Sequence, residues 1–245
     1  MIDGCYVMEN SGKKIFIILL FFALIGTSFC AVFFYQRSSK VIYKEKIVYK
    51  EEKAKKLEDI KKQENIVFLG DSITEFYPID SIYRDLPIVK SGISGYTTDD
   101  LLERMNSMVY QYNPTSVYLL IGTNDIMTDG EATKDETVEK IEKIISDIKM
   151  NRSMAKIYLE SIYPINRNLD TGMVKNRKNE IIREMNEALE KYCVQNQVTY
   201  IDMYKELIDS DGNFSKDYTD DGLHPNDLGY ARISQIRLNY IYGIY

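Results

Sequence analysis

The stretch NIVFLGDSIT, residues 65–74, joins an apolar run to a short polar motif. Its first part, NIVFLG, has no charged residue and is typical of a buried β-strand. Comparable runs recur at 86–92, 116–122, 156–164 and 198–204. Helix-like segments lie at about 98–111, 133–150, 175–196 and 226–242. Because apolar strands alternate with helices, the sequence predicts an α/β fold, a three-layer α/β/α sandwich with a five-stranded parallel sheet of flavodoxin-like order.

Four short motifs fall where this fold would bring them together. GDSIT (70–74), GISG (92–95) and GTND (122–125) directly follow the first three predicted strands. DGLHP (221–225) directly precedes the last predicted helix. Ligands of a doubly wound sheet bind at the carboxyl ends of its strands, near the point where the strand order reverses. We therefore expect the four motifs to form one site at that edge.

In this order the motifs resemble those of the SGNH, or GDSL, hydrolase family, over about residues 65–242. The resemblance implies the SGNH hydrolase fold, a serine esterase activity and no cofactor or metal ion. The catalytic residues that it implies are Ser72, His224 and Asp221. The oxyanion hole that it implies consists of the backbone N–H groups of Ser72 and Gly95 and the side-chain amide of Asn124.

Elementary chemistry agrees with these roles. A serine hydroxyl is a weak nucleophile until a base takes its proton, and histidine is the side chain best suited to this near neutral pH. The chain has a single histidine, His224, so an imidazole base has no other candidate. Asp221 precedes it by three residues, a spacing at which a turn can bring the carboxylate to the imidazole and hold its tautomer.

Three further positions near the motifs receive supporting roles. Asp71 and Asp125 are interpreted as structural hydrogen-bond acceptors rather than catalysts. The family often has asparagine five residues before the oxyanion glycine, where this chain has Lys90. We expect that departure to alter local packing without removing activity.

Other enzyme classes fit the sequence less well. The α/β-hydrolases share the order serine, aspartate, histidine, but their nucleophile lies in G-x-S-x-G, and position 74 here is threonine. The chain has no HExxH, Walker A or GxGxxG motif, so metal, nucleotide and dinucleotide chemistry have no support. Residues 65–245 carry 19 basic and 29 acidic side chains, a balance that disfavours nucleic-acid binding. The three cysteines, at 5, 30 and 193, suggest neither a disulfide framework nor a zinc site.

The N-terminal quarter of the chain has a different character. After a tail at 1–14, residues 15–35 are 21 residues without a charge, enough to cross a bilayer. A cleaved signal peptide is the alternative, but the run is long and lacks an A-x-A-like site. Residues 36–64, rich in lysine and glutamate, predict a charged helical stalk before a hydrolase domain at 65–245. Basic residues after the apolar run favour a cytoplasmic domain, whereas the layout of one anchor before an enzyme favours an extracytoplasmic one, which we choose.

These features predict a membrane-anchored serine esterase that cleaves a carboxylic ester. A short acyl or acetyl ester on a carbohydrate or cell-surface glycan is the first substrate choice. A lysophospholipase or thioesterase, a glycan O-acyltransferase and a catalytically silent surface-binding domain stay open as alternatives. The expected partners are thus a small-molecule or glycan ester and, through the N-terminal helix, a membrane, with no nucleic acid; the sequence leaves the oligomeric state open.

Overall fold

The computed structural model describes residues 50–60, 65–169 and 171–244. A compact unit runs from Leu57 to Tyr245. Residues 50–60, within the predicted stalk, are helical (α1), and Ile60 is only 1 % exposed. The tail predicted for 1–14 and the membrane anchor predicted for 15–35 lie outside the described residues. Within the described ranges, no helix has the length and apolar character needed to cross a membrane.

Five parallel strands form one sheet in the order β2-β1-β3-β4-β5. They are β1 (Ile66–Gly70), β2 (Ile88–Gly92), β3 (Ser116–Leu120), β4 (Lys156–Glu160) and β5 (Thr199–Ile201). This confirms the predicted parallel sheet and its flavodoxin-like order, with the order reversing between β1 and β3. Gly70 lies opposite Gly92 on one side and Leu120 on the other, so the first three strands end together.

Helices cover both faces of the sheet and complete the predicted three layers. The long helices are α4 (Thr98–Met108), α5 (Gly130–Asn151), α6 (Asn179–Asn196) and α8 (Asp227–Tyr242). Shorter ones are α2 (Ser72–Glu75), α3 (Ile79–Ile82) and α7 (Met203–Leu207), with 3-10 turns at Tyr110–Tyr112 and Arg167–Leu169. Helices α4, α5 and α6 pack on one face, and α2, α3, α7 and α8 on the other.

The two faces have different chemistry because side chains alternate along each strand. Val67 and Leu69 point into an aliphatic core with α4, α5 and α6. Phe68 points into the opposite core, where several tyrosines surround it. Alternate residues of one strand thus belong to separate cores.

The fifth predicted strand, 198–204, is wrong beyond residue 201. Asp202 accepts a hydrogen bond from the backbone N–H of Lys205 at 3.1 Å and so caps α7, which begins at Met203. The apolar residues that suggested a longer strand, Met203 and Tyr204, are buried on this helix instead. A short buried helix and a short buried strand look alike in sequence, because neither is long enough to show its period.

Candidate active site

The turn after β1 is tightly packed, and the glycines that end β1 and β2 make this packing possible. A Cβ atom at Gly70 would collide with the carbonyl oxygen of Leu120 on the neighbouring strand. A Cβ atom at Gly92 would lie 2.5 Å from the backbone nitrogen of Glu75. The absence of these side chains lets α2 begin directly at the sheet edge, with Ser72 as its first residue.

Asp71 caps this helix from a fully buried position. Its Oδ1 accepts a hydrogen bond of 3.0 Å from the backbone N–H of Ile73. Its Oδ2 is buried and has no hydrogen-bond partner among the described residues. Burial raises the pKa of Asp71 to about 7, although the bond from Ile73 and the charge of Arg177 act in the opposite direction. The bond to Oδ1 fits the structural role predicted for Asp71, whereas Oδ2 is buried without a bond that would serve that role.

Ser72, His224 and Asp221 form a continuous hydrogen-bonded chain. Ser72 Oγ lies 3.0 Å from His224 Nε2, and His224 Nδ1 lies 2.7 Å from Asp221 Oδ2. The other oxygen of Asp221 accepts bonds from the backbone N–H groups of Leu223 and His224, at 2.8 and 2.7 Å. Burial opposes ionisation of Asp221, but these bonds outweigh it and lower its pKa, so the carboxylate is charged near neutral pH.

Gly95 and Asn124 also come together. Gly95 follows β2 with φ of +81°, a backbone conformation that favours glycine. Asn124 Nδ2 donates a bond of 3.0 Å to the carbonyl oxygen of Tyr96, the residue after Gly95. Glu75, at the end of α2, accepts bonds from the backbone N–H and the hydroxyl of Ser94. The loop that carries Gly95 is thus bound on one side to the helix of Ser72 and on the other to Asn124.

Asp125 and Lys90 form hydrogen bonds with neighbouring segments of the fold. The carboxylate of Asp125 accepts bonds of 3.1 and 3.2 Å from the N–H of Thr98, and another from its hydroxyl, at the start of α4. Burial raises the pKa of Asp125, and the bonds from Thr98 oppose that rise. Lys90 donates to the carbonyl oxygen of Tyr77 at 3.3 Å. Within the described ranges, no three histidine, cysteine or acidic side chains are grouped so as to hold a metal ion.

Two residues that the sequence reasoning missed adjoin this group. Arg177, 1 % exposed, donates through Nη2 to Asn124 Oδ1 at 2.9 Å. Phe76 is 54 % exposed, and its ring centroid lies 5.4 Å from that of His224. The sequence predicted Arg177 within a helix beginning near residue 175, but α6 begins only at Asn179, so the helical pattern did not give the direction of this side chain. Phe76 could have been predicted near the site, because it lies only four residues after Ser72 in the chain.

The structure has a doubly wound parallel sheet with a serine, a histidine and an aspartate at its carboxyl edge. The sequence profile of the GDSL-like Lipase/Acylhydrolase family matches residues 68–232, and the chain belongs to that family. The class of protein is thus that of the GDSL-like lipases and acylhydrolases.

Individual relatives are similar to this chain over most of the described region. A Streptococcus pneumoniae structure, described as a candidate platelet activating factor, is 31 % identical with a TM-score of 0.68, covering 83 % of this chain and 99 % of its own. An N-acylneuraminate cytidylyltransferase of Escherichia coli is 29 % identical over 68 % of this chain and 38 % of its own length. A multidomain esterase of Ruminococcus flavefaciens is 31 % identical over 62 % of this chain and 20 % of its own. The chain thus spans well under half the length of these two curated relatives.

Proposed function

We propose that this protein is a serine esterase that hydrolyses a carboxylic ester through an acyl-enzyme. The observation that carries the proposal is the chain from Ser72 Oγ to His224 Nε2, 3.0 Å, and from His224 Nδ1 to Asp221, 2.7 Å. These are the contacts that a hydroxyl nucleophile, its general base and the carboxylate orienting that base require.

In the proposed reaction His224 takes the proton of Ser72 as Oγ attacks the ester carbonyl. The charge on the carbonyl oxygen is stabilised by the N–H groups of Ser72 and Gly95 and by the amide of Asn124. His224 then protonates the departing alcohol. In the second half it deprotonates the water that attacks the acyl carbon and returns that proton to Ser72 Oγ as the acid leaves. Asp221 stays ionised throughout and stabilises the imidazolium cation.

Replacement of the nucleophile tests this directly. Ser72→Ala should lower hydrolysis of p-nitrophenyl acetate more than about 10³-fold, because alanine has no hydroxyl group to form the acyl-enzyme. Ser107→Ala, at an exposed serine of α4, is the matched control and should keep full activity. Retained hydrolysis in Ser72→Ala would refute the assignment, and failure of a fluorophosphonate probe to label Ser72 would favour a catalytically silent binding domain.

A short acyl group on a sugar is the substrate that we rank first. One relative is named a multidomain esterase, and another is named for N-acylneuraminate, an acylated sugar. A panel of p-nitrophenyl esters from acetyl to octanoyl separates this substrate from the alternatives. A sharp preference for acetyl supports the glycan ester, whereas rising rates with chain length favour a lysophospholipase or thioesterase. Acyl-sugar products formed with a glycan acceptor present would indicate an O-acyltransferase.

The membrane tether completes the proposal on sequence grounds alone. The 21 uncharged residues at 15–35 would anchor the esterase in a bilayer, with the catalytic domain on the extracytoplasmic side. An enzyme held in this way would meet esters of surface glycans without diffusing from the cell.

A further inference from the structure

Asn124 can serve an oxyanion in only one of its two amide orientations. Its side chain must present Nδ2, because Oδ1 carries no proton and would repel a negative oxygen. The two ends of an amide have nearly the same shape, so packing alone does not distinguish them. Some hydrogen-bonding partner must therefore select the orientation.

Arg177 provides that selection. A guanidinium group has donors and no acceptor, so only Oδ1 of Asn124 can face it. Arg177 Nη2 donates to this oxygen at 2.9 Å, and Nδ2 on the other side donates to the carbonyl oxygen of Tyr96 at 3.0 Å. An amide nitrogen carries two hydrogens, and the bond to Tyr96 uses one of them. The second is left for an oxyanion beside Gly95.

The guanidinium itself is held rigidly. Arg177 Nε donates to the backbone carbonyl of Thr123 at 2.7 Å and to its hydroxyl at 3.1 Å. Nη1 donates to the carbonyl oxygens of Met173 and Val174, at 3.0 and 3.2 Å. Because the side chain is 1 % exposed, water does not compete for these bonds. The planar fork is thereby fixed relative to the loop that carries Asn124.

The charge of Arg177 adds to this geometry. Its positive charge withdraws electron density from Oδ1 of Asn124 and makes the opposite N–H group a stronger donor. Burial lowers the pKa of Arg177, and the charge of Asp71 acts against that effect. A buried cation bonded to the Asn124 amide is a favourable arrangement for negative charge that develops on the substrate.

We propose that Arg177 is a positioning residue that fixes and polarises the Asn124 amide toward the oxyanion. The proposal rests on the esterase function proposed above. A structural role alone, in which Arg177 only ties down residues 173 and 174, is the competing explanation. The positioning role predicts that replacing Arg177 lowers kcat only when Asn124 is present, whereas the structural role predicts the same fall in kcat with or without Asn124.

A double-mutant cycle on p-nitrophenyl acetate hydrolysis tests this difference. Arg177→Met should lower kcat about 10- to 100-fold with KM changed less than about threefold, since a donor that acts in the transition state is impaired. In the Asn124→Ala background the same replacement should lower kcat less than about threefold. Lys178→Met removes a neighbouring exposed positive charge and should change kcat less than about twofold.

Each result has a defined meaning. Equal losses from Arg177→Met in both backgrounds would overturn the proposal in favour of a structural role. If Arg177→Met fails to fold, Arg177→Lys can replace it, because lysine keeps a cation without the planar fork. The fall in kcat caused by Arg177→Lys should again occur only when Asn124 is present. Absence of hydrolysis by the unmodified protein would refute the esterase function itself, which separates that failure from a failure of the Arg177 proposal.

Discussion

At the residue scale, the unusual feature of the site is a fully buried carboxyl group beside the nucleophile, in addition to the partly exposed carboxylate of Asp221. Asp71 is fully buried directly before Ser72, with one oxygen unpartnered among the described residues. Its pKa is raised to about 7, chiefly by burial, from an ordinary value of 3.8. A raised pKa means that the folded protein retains a proton that the unfolded chain has lost. Folding is therefore linked to pH through this residue.

The linkage predicts a pH-dependent effect of Asp71→Asn. The stabilisation from a protonated Asp71 is complete below about pH 4 and is lost as pH rises through 7. Between pH 5 and pH 7 this amounts to at most about 3 kcal/mol, at 1.36 kcal/mol for each pH unit. Asparagine stays neutral, so the stability of Asp71→Asn relative to the native chain should increase over that interval. Thermal unfolding at pH 5, 6, 7 and 8 measures this, with Asp135→Asn on α5 as an exposed control; parallel curves for the native chain and Asp71→Asn would contradict it.

At the scale of elements, the site depends on how α2 holds the loop after β2. Glu75, at the end of α2, accepts a bond of 2.7 Å from the N–H of Ser94 and another from its hydroxyl. These two bonds lower the pKa of Glu75. The next residue is Gly95, which has φ of +81° and shares a peptide unit with Ser94. The four-residue helix that begins with the nucleophile therefore also positions a predicted oxyanion donor.

Glu75→Ala should consequently impair catalysis more than folding. Without its acceptor the Gly95 loop is less well fixed, and we expect kcat to fall about tenfold, a fraction of the cost of losing a whole oxyanion donor. The melting temperature should change little, because Glu75 is partly exposed and belongs to neither apolar core. Glu103→Ala, an exposed glutamate of α4, provides the control. Unchanged kcat in Glu75→Ala would mean that the loop holds its conformation by itself.

The sequence was sufficient for features that depend on local pattern and insufficient for long-range contacts. The strands were predictable because runs such as 65–70 are apolar, and the motifs followed from where those runs end. The strand predicted at 116–122 stops at Leu120, before Gly122 adopts φ of +114°. The contact of Arg177 with Asn124 joins positions 53 apart in the chain. No local periodicity encodes such a contact, which depends on how the stretch before α6 folds back.

At the scale of the whole compact unit, one of the two cores contains a buried ion pair. Arg237 of α8 donates two bonds to Glu160 at the end of β4, at 2.5 and 2.8 Å, and both side chains are almost completely buried. Tyr163 donates to the same carboxylate at 2.7 Å. The guanidinium carbon lies 4.6 Å from the ring centroid of Phe68 and 4.5 Å from that of Tyr77. Helix α8 is thus joined to β4 through charge and to Phe68 of β1 through an aromatic contact.

Removing one partner of this ion pair should lower the free energy of unfolding more than removing both charges. Arg237→Met leaves the Glu160 carboxylate buried without its counter-charge, which typically destabilises a protein by about 3–5 kcal/mol. Adding Glu160→Gln removes the stranded charge while keeping an acceptor for Tyr163, so the double variant should recover about 1–3 kcal/mol relative to Arg237→Met alone. Urea unfolding of the single and double variants at pH 7 gives the free energies of unfolding. Strict additivity of the two replacements would show that the charges act independently, and that α8 is held by its apolar contacts rather than by the ion pair.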